Sequence, residues 1–111
     1  MVIHLRRLIK ELRELMEKRR MLHVINDKSI EIYNACDNLL KEHGESSDTG
    51  QELLKIKTSA ESLMKLCEKG DLLSVYFEFD YDNSINFVRA MEVAIDKIGR
   101  ILDIEFEETQ D

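Results

Sequence analysis

The sequence predicts an all-α protein, an antiparallel three- to four-helix bundle with short loops. Three observations carry that expectation. The 111 residues include no proline and only four glycines, so residues that break helices are nearly absent. Apolar residues recur at steps of three and four along most of the chain, which is the period of a helix buried on one side. Glycine-bearing breaks at residues 44–50 and at Gly70 divide that pattern into pieces of helical length.

Length and composition set the frame. A chain of 111 residues, 43% hydrophobic and 35% charged, is read as one domain, 1–111, with its own core. No apolar run approaches the roughly 18 residues of a membrane span. Charges interrupt the opening segment every few positions, which speaks against a signal peptide. Two cysteines, Cys36 and Cys67, are too few for a disulfide scaffold, so a cytoplasmic location is expected.

The first helix is expected over residues 2–25. Leu5, Leu8, Leu12, Leu15 and Leu22 share one face, and Ile9 and Met16 widen the stripe beyond a two-position seam. Charged pairs at the i,i+4 spacing (Lys10 with Glu14, Arg13 with Glu17, Glu14 with Lys18) add only ~0.2–0.5 kcal/mol each. Burying five leucines at ~1.5–3 kcal/mol each is the larger effect, so the helix requires a surface to pack on. Residues 1–25 hold seven basic and three acidic side chains, a charge of +4; the rest of the chain holds nine and twenty, a charge of −11. A basic helix packed on an acidic body is the plain reading. A membrane-surface helix is disfavoured, because no Trp or Phe anchors the segment and acids sit among its bases. Nucleic acid is disfavoured as well, since a chain of net charge −7 repels phosphate.

The next helix is expected over 28–43, with Ile32, Tyr33, Cys36, Leu39 and Leu40 inward and Gly44 as its left-handed stop. The seven-residue register of Leu5, Leu12 and Arg19 continues through Asn26, Tyr33 and Leu40. One helix from Val2 to His43, about 60 Å long, therefore competes with two. A break at Asn26–Asp27 is preferred, because Arg19, Asn26 and Ser29 weaken a continuous apolar seam. Residues 45–50 form the clearest loop. A third helix, over 50–69, follows with either Asp48 or Thr49 as its cap, Thr49 to Glu52 matching the capping box. Leu53, Ile56, Ala60, Leu63 and Cys67 form its stripe, Gly70 ends it and Asp71 is placed to cap the next element.

Residues 72–82 are ambiguous between helix and extended chain. Val75, Phe77, Phe79 and Tyr81 alternate with polar residues, yet a lone strand finds no partner. The aromatic concentration there is read as closing one end of the core, or alternatively as a patch that docks a partner. The last helix, over 84–104, is apolar round most of its circumference, which suits a central helix or an oligomer interface. The acidic tail, residues 105–111, is expected to fray.

Candidate chemistry is weak. Asp80, Asp82, Ser84 and Asn86 begin like a calcium loop, which fails at Ile85 and Met91. His4, His23 and His43 have no His or Cys at metal-ligand spacing, and no metal or cofactor is expected. Both cysteines lie on apolar stripes and read as buried structural thiols. A histidine phosphotransfer bundle is the alternative from another class; His4 precedes Arg6 and Arg7, but it falls in a fraying first turn. A nucleic-acid contact through the basic first helix is the other alternative. The functional expectation is a non-enzymatic module that binds another protein, with a homodimer as a variant of that reading. The contact residues expected are Arg6, Arg7, Arg13 and Arg20 on the basic helix and Tyr76, Phe77, Phe79 and Tyr81 among the aromatics.

Overall fold

The computed structural model describes residues 1–72 and 79–106. Four helices account for most of them: α1 Val2–Glu17, α2 Leu22–His43, α3 Asp48–Leu72 and α4 Tyr81–Ile101. They pack as a ring in which each helix lies against its neighbours in sequence and α4 closes on α1. Consecutive helices run antiparallel. Across α1 and α2, Lys28 reaches Glu11 at 2.8 Å, and the clefts set Leu15 near Val24 and Leu8 near Glu31, pairs stepping evenly away from the intervening turn. Along α1 and α4, Arg19 meets Asp82, Arg13 meets Glu92 and Arg6 lies beside Gly99, so the numbers rise on one helix as they fall on the other.

The core is built from the stripes that the spacing predicts. Leu5, Ile9, Leu12 and Met16 enter it from α1; Ile25, Ile32 and Cys36 from α2; Leu53, Ile56, Leu63 and Cys67 from α3; Val88, Met91, Ile95 and Ile98 from α4. Among the described residues there is no strand. The ring also corrects the reading of the last helix. α4 is a corner rather than a centre, in contact with α3 and α1 alone, and it leaves Val93 and Ile101 exposed.

The first break falls elsewhere than at Asn26–Asp27. Both of those residues are inside α2, and the chain turns at residues 18–21. The device is a Schellman motif with an arginine in place of glycine. Arg19 takes φ +50°, its N–H donates to the Met16 carbonyl at 3.1 Å, and the Arg20 N–H donates to the Leu15 carbonyl at 3.0 Å. Ser29 is buried in α2 because its hydroxyl donates to the Ile25 carbonyl at 2.9 Å, so a polar seam position costs little there.

Three further boundaries move. Ser47, not Asp48 or Thr49, caps α3: its Oγ accepts the Gly50 N–H at 2.9 Å and donates to the Gly44 carbonyl at 2.9 Å. Gly70 does not end α3, which runs to Leu72 and takes in Asp71. The last helix begins at Tyr81 rather than Ser84, because Asp80 accepts both the Asn83 N–H and the Asn83 side-chain amide. That cap accounts for the acidic and amide residues that resembled a calcium loop. Gly44 stops α2 with φ +82°, ψ 144°, a conformation that requires glycine. The ambiguous residues 73–78 lie outside the described part.

Candidate functional site

Three basic side chains tie α1 to α4, one near each end and one between. The middle one is Arg13. Its Nε and Nη2 donate to the two carboxylate oxygens of Glu92 at 2.5 and 2.6 Å, and its Nη1 reaches Glu17 at 3.3 Å. The bidentate fork holds the guanidinium pKa above its ordinary value; the Glu92 hydrogen bond raises it, partial burial opposes, and the charges of Glu92 and Glu17 add to the rise. With Arg13 and Glu92 about a third exposed, water screens the pair, and its worth is ~1 kcal/mol.

At one end Arg19 pairs with Asp82 at 2.6 Å and lies 5.4 Å from the ring of Tyr81. The Tyr81 hydroxyl donates to the Arg20 carbonyl at 2.6 Å, pinning the α1–α2 turn to the start of α4. Phe79 meets Tyr81 edge to face, with centroids 4.8 Å apart. Burial raises the Tyr81 pKa, with the nearby Cys67 adding to the rise and Arg19 opposing it.

At the other end the chain after α4 turns back. Asp103 takes φ +54° and the Ile104 N–H donates to the Gly99 carbonyl at 2.8 Å, a second Schellman motif without glycine. Ile104 and Phe106 pack against the core from outside. The last helix, expected to reach residue 104, thus ends at Ile101; of the tail expected to fray, residues 105–111, the described residues 105 and 106 instead continue this return, with the Phe106 side chain packed against the core. Arg6 sits over the Phe106 ring, 4.7 Å from its centroid. The ring in turn occupies the space over Gly99, where a Cβ would stand 2.5 Å from Cε2 of Phe106.

Between these contacts the α1–α4 surface is open. One cleft of about 380 Å³ has Ile9 and Ile95 at its floor and Arg6, Lys10, Arg13 and Asp96 around it. A second, of about 680 Å³, runs on past Arg6 and Arg100 to the returning tail.

The contact residues expected from sequence fall in different places. Arg6 and Arg13 come together on the α1–α4 seam. Arg7 is exposed beside it, with Nη2 2.9 Å from Nδ1 of His4. Arg20 is in the turn. Phe79 is buried and closes one end of the core, the first of the two roles open to it, while Tyr81 is half-buried. Tyr76 and Phe77 lie outside the described residues. Glu92, Gly99 and Phe106 have no site role in the sequence reading, and Asp82 figures there only in the rejected calcium loop; Gly99 and Phe106 carry the clearer signals. A lone glycine in an apolar helix and a lone phenylalanine in an acidic tail are the signals that mark the last two.

Cys36 and Cys67 are buried thiols, neither of them in a disulfide, and burial, aided by Asp37 and opposed by Lys57, pushes the Cys36 thiol up to about 12. His4 is exposed in the first turn of α1. Among the described residues no group of His, Cys, Asp and Glu is arranged to hold a metal ion, and no helix is long and apolar enough to cross a membrane. Compared with known protein families, curated proteins and solved structures, the chain matches none.

Proposed function

We propose that this chain is a non-enzymatic protein-binding module, acting in the cytoplasm, whose working surface is the α1–α4 seam. The observation that carries the reading is the open cleft in which Ile9 and Ile95 lie beneath Arg6, Lys10 and the Arg13–Glu92 pair, with Asp96 at its edge. An apolar centre with an arginine-rich margin is the composition of protein interfaces. A basic strip on a chain of net charge −7 favours a partner whose surface carries carboxylates, and steers its approach. Two buried thiols outside any disulfide support a reducing compartment.

Self-association is a second reading, favoured by a different observation. α4 leaves Val93 57% and Ile101 46% exposed, two apolar side chains on one helix that a second copy would cover. Light scattering on the eluted protein over a range of micromolar concentrations decides that reading; a strict monomer ends it. For the main reading, cross-linking in the native cell should capture a defined partner with the unaltered chain and lose it with Arg6→Glu and Arg7→Glu together. An unchanged set of captured proteins overturns it.

A further inference from the structure

The turn-back of the C-terminal chain onto α1 and α4 has features of a ligand in its site. Phe106 is neither loose nor part of the core proper. Its ring lies in a notch over Gly99, roofed by the Arg6 guanidinium, at the mouth of the larger cleft. Glycine in a helix costs up to ~1 kcal/mol relative to alanine, and this one lies buried near the end of α4 where a methyl group would collide with the ring. The sequence around the ring is Ile104-Glu105-Phe106-Glu107-Glu108, an aromatic residue set among carboxylates. The surface it meets carries Arg6 and Arg100, with Asp96 the acid of α4 beside them, and Arg7 and Lys10 continue the basic run along α1.

We propose that the notch formed by Gly99, Arg6 and Arg100 is a docking site for a partner's peptide bearing a phenylalanine flanked by acidic residues, and that Phe106 occupies it as an internal competitor. The inference deepens the protein-binding reading and rests on it. Shape and charge argue together. The notch admits a flat ring and stacks it under a cation, which selects an aromatic anchor. The neighbouring bases then favour carboxylates next to that anchor and disfavour basic ones. The internal copy is held by two partly buried side chains, Ile104 and Phe106, and a short turn, so a partner segment with the same anchor and further contacts can displace it. The tail thereby sets a threshold that a weak or wrong ligand does not cross.

The test uses the full chain and a labelled peptide of residues 103–111 as the probe, followed by amide shifts in nuclear magnetic resonance. In the Phe106→Ala chain the peptide should shift Arg6, Gly99 and Arg100 saturably, with an affinity that falls as salt rises. In the unaltered chain the same titration should be roughly tenfold weaker, because the tail competes at a local concentration on the order of millimolar. Adding Gly99→Ala to Phe106→Ala should abolish binding, since the methyl fills the notch, and a peptide with its own Phe replaced by Ala should not bind. The amide spectrum of each variant reports its fold in the same experiment. Failure of the Phe106→Ala chain to bind, or equal binding by the peptide lacking Phe, overturns the inference. Exchange of tails between copies, seen as a dimer that Phe106→Ala dissolves, overturns it too by making the occupant a second copy. Partner capture that persists while the peptide fails would leave the protein-binding reading standing without this site.

Discussion

Replacing Gly50 by alanine should destabilise this protein, although alanine is the better helix former. Gly50 lies in the first turn of α3, where the exchange ordinarily stabilises by at most ~1 kcal/mol. Here a Cβ would stand 1.9 Å from the Gly44 carbonyl oxygen, 2.9 Å from the Gly44 carbonyl carbon and 3.0 Å from that of Glu45. All three atoms are backbone, so no side chain can swing aside and the α2–α3 connection must move. That connection also holds the Ser47 cap, whose Oγ bridges the Gly44 carbonyl and the Gly50 N–H. Loss of a cap costs ~1 kcal/mol and overpacking ~1–3 kcal/mol, so the net is a destabilisation of about 2 kcal/mol. At roughly 4 °C per kcal/mol, Tm should fall by ~8 °C. Urea unfolding followed by helical circular dichroism measures it. Gly99→Ala is the internal comparison: the obstacle there is the Phe106 ring, which can leave, so helix propensity and lost contact nearly cancel and the change should stay within about 1 kcal/mol. A Gly50→Ala protein as stable as the parent would refute the reasoning.

Three other perturbations follow from the same geometry. Asp103 holds a left-handed conformation that glycine adopts without strain, so Asp103→Gly should raise stability by ~0.5–1 kcal/mol in urea unfolding, where a loss counts against the second Schellman motif. The Cys36 thiol ionises near 9 in an unfolded chain and only near 12 when folded; its contribution is complete below pH 9 and is lost as pH climbs from there towards 12, so stability should fall across that window. Lys28, Lys57 and Tyr81, all with raised pKa values, push in the same direction, and the part due to Cys36 is the difference from a Cys36→Ala protein measured over the same pH range. Exchanging the partners of the α1–α4 pair, Arg13→Glu with Glu92→Arg, should restore most of the ~1 kcal/mol that either change alone removes; a double-mutant cycle with no coupling would reduce that pair to a surface decoration.

What could be read from the sequence and what could not separate along a physical line. The inward stripes were legible because burial imposes a period: Leu53, Ile56, Ala60, Leu63 and Cys67 are spaced for a helix and all reach the core. Turns were legible only where a residue type dictates a conformation. Gly44 qualifies, and α2 stops there. Arg19 and Asp103 do not: each takes a left-handed backbone just past the end of a helix, where glycine is the usual residue. The uninterrupted seven-residue register allowed a single helix through Arg19, and the polar residues along it pointed to a break at Asn26–Asp27 where the chain turns at residues 18–21. The register survives because an antiparallel hairpin returns the same stripe to the same core. On the seam, Arg6 and Arg13 were recognisable as part of a basic face, whereas Glu92, Gly99 and Phe106 matter only through what lies opposite them.

The seam between α1 and α4 differs from the other three in one respect: its two helices are not consecutive in the chain. The hairpin connections hold α1 to α2 and α2 to α3 within a few residues, but α4 must find α1 across the length of the chain, and loop closure at that separation carries an entropic cost. Apolar burial supplies the energy for it, through Leu5, Ile9, Leu12 and Met16 against Ile95 and its neighbours. Burial is nearly indifferent to a slip of one turn, because leucine and isoleucine recur at that step. Polar contacts are not. Arg6 and Arg13 lie about two turns apart on α1 and Arg19 follows in the turn after it, and their partners Phe106, Glu92 and Asp82 are met together in one register only. Each contact is partly exposed and worth little alone. Their joint effect is to select the register in which the ring closes, and this gives the positive charge of the first helix and its turn a structural role beside the binding role proposed for it.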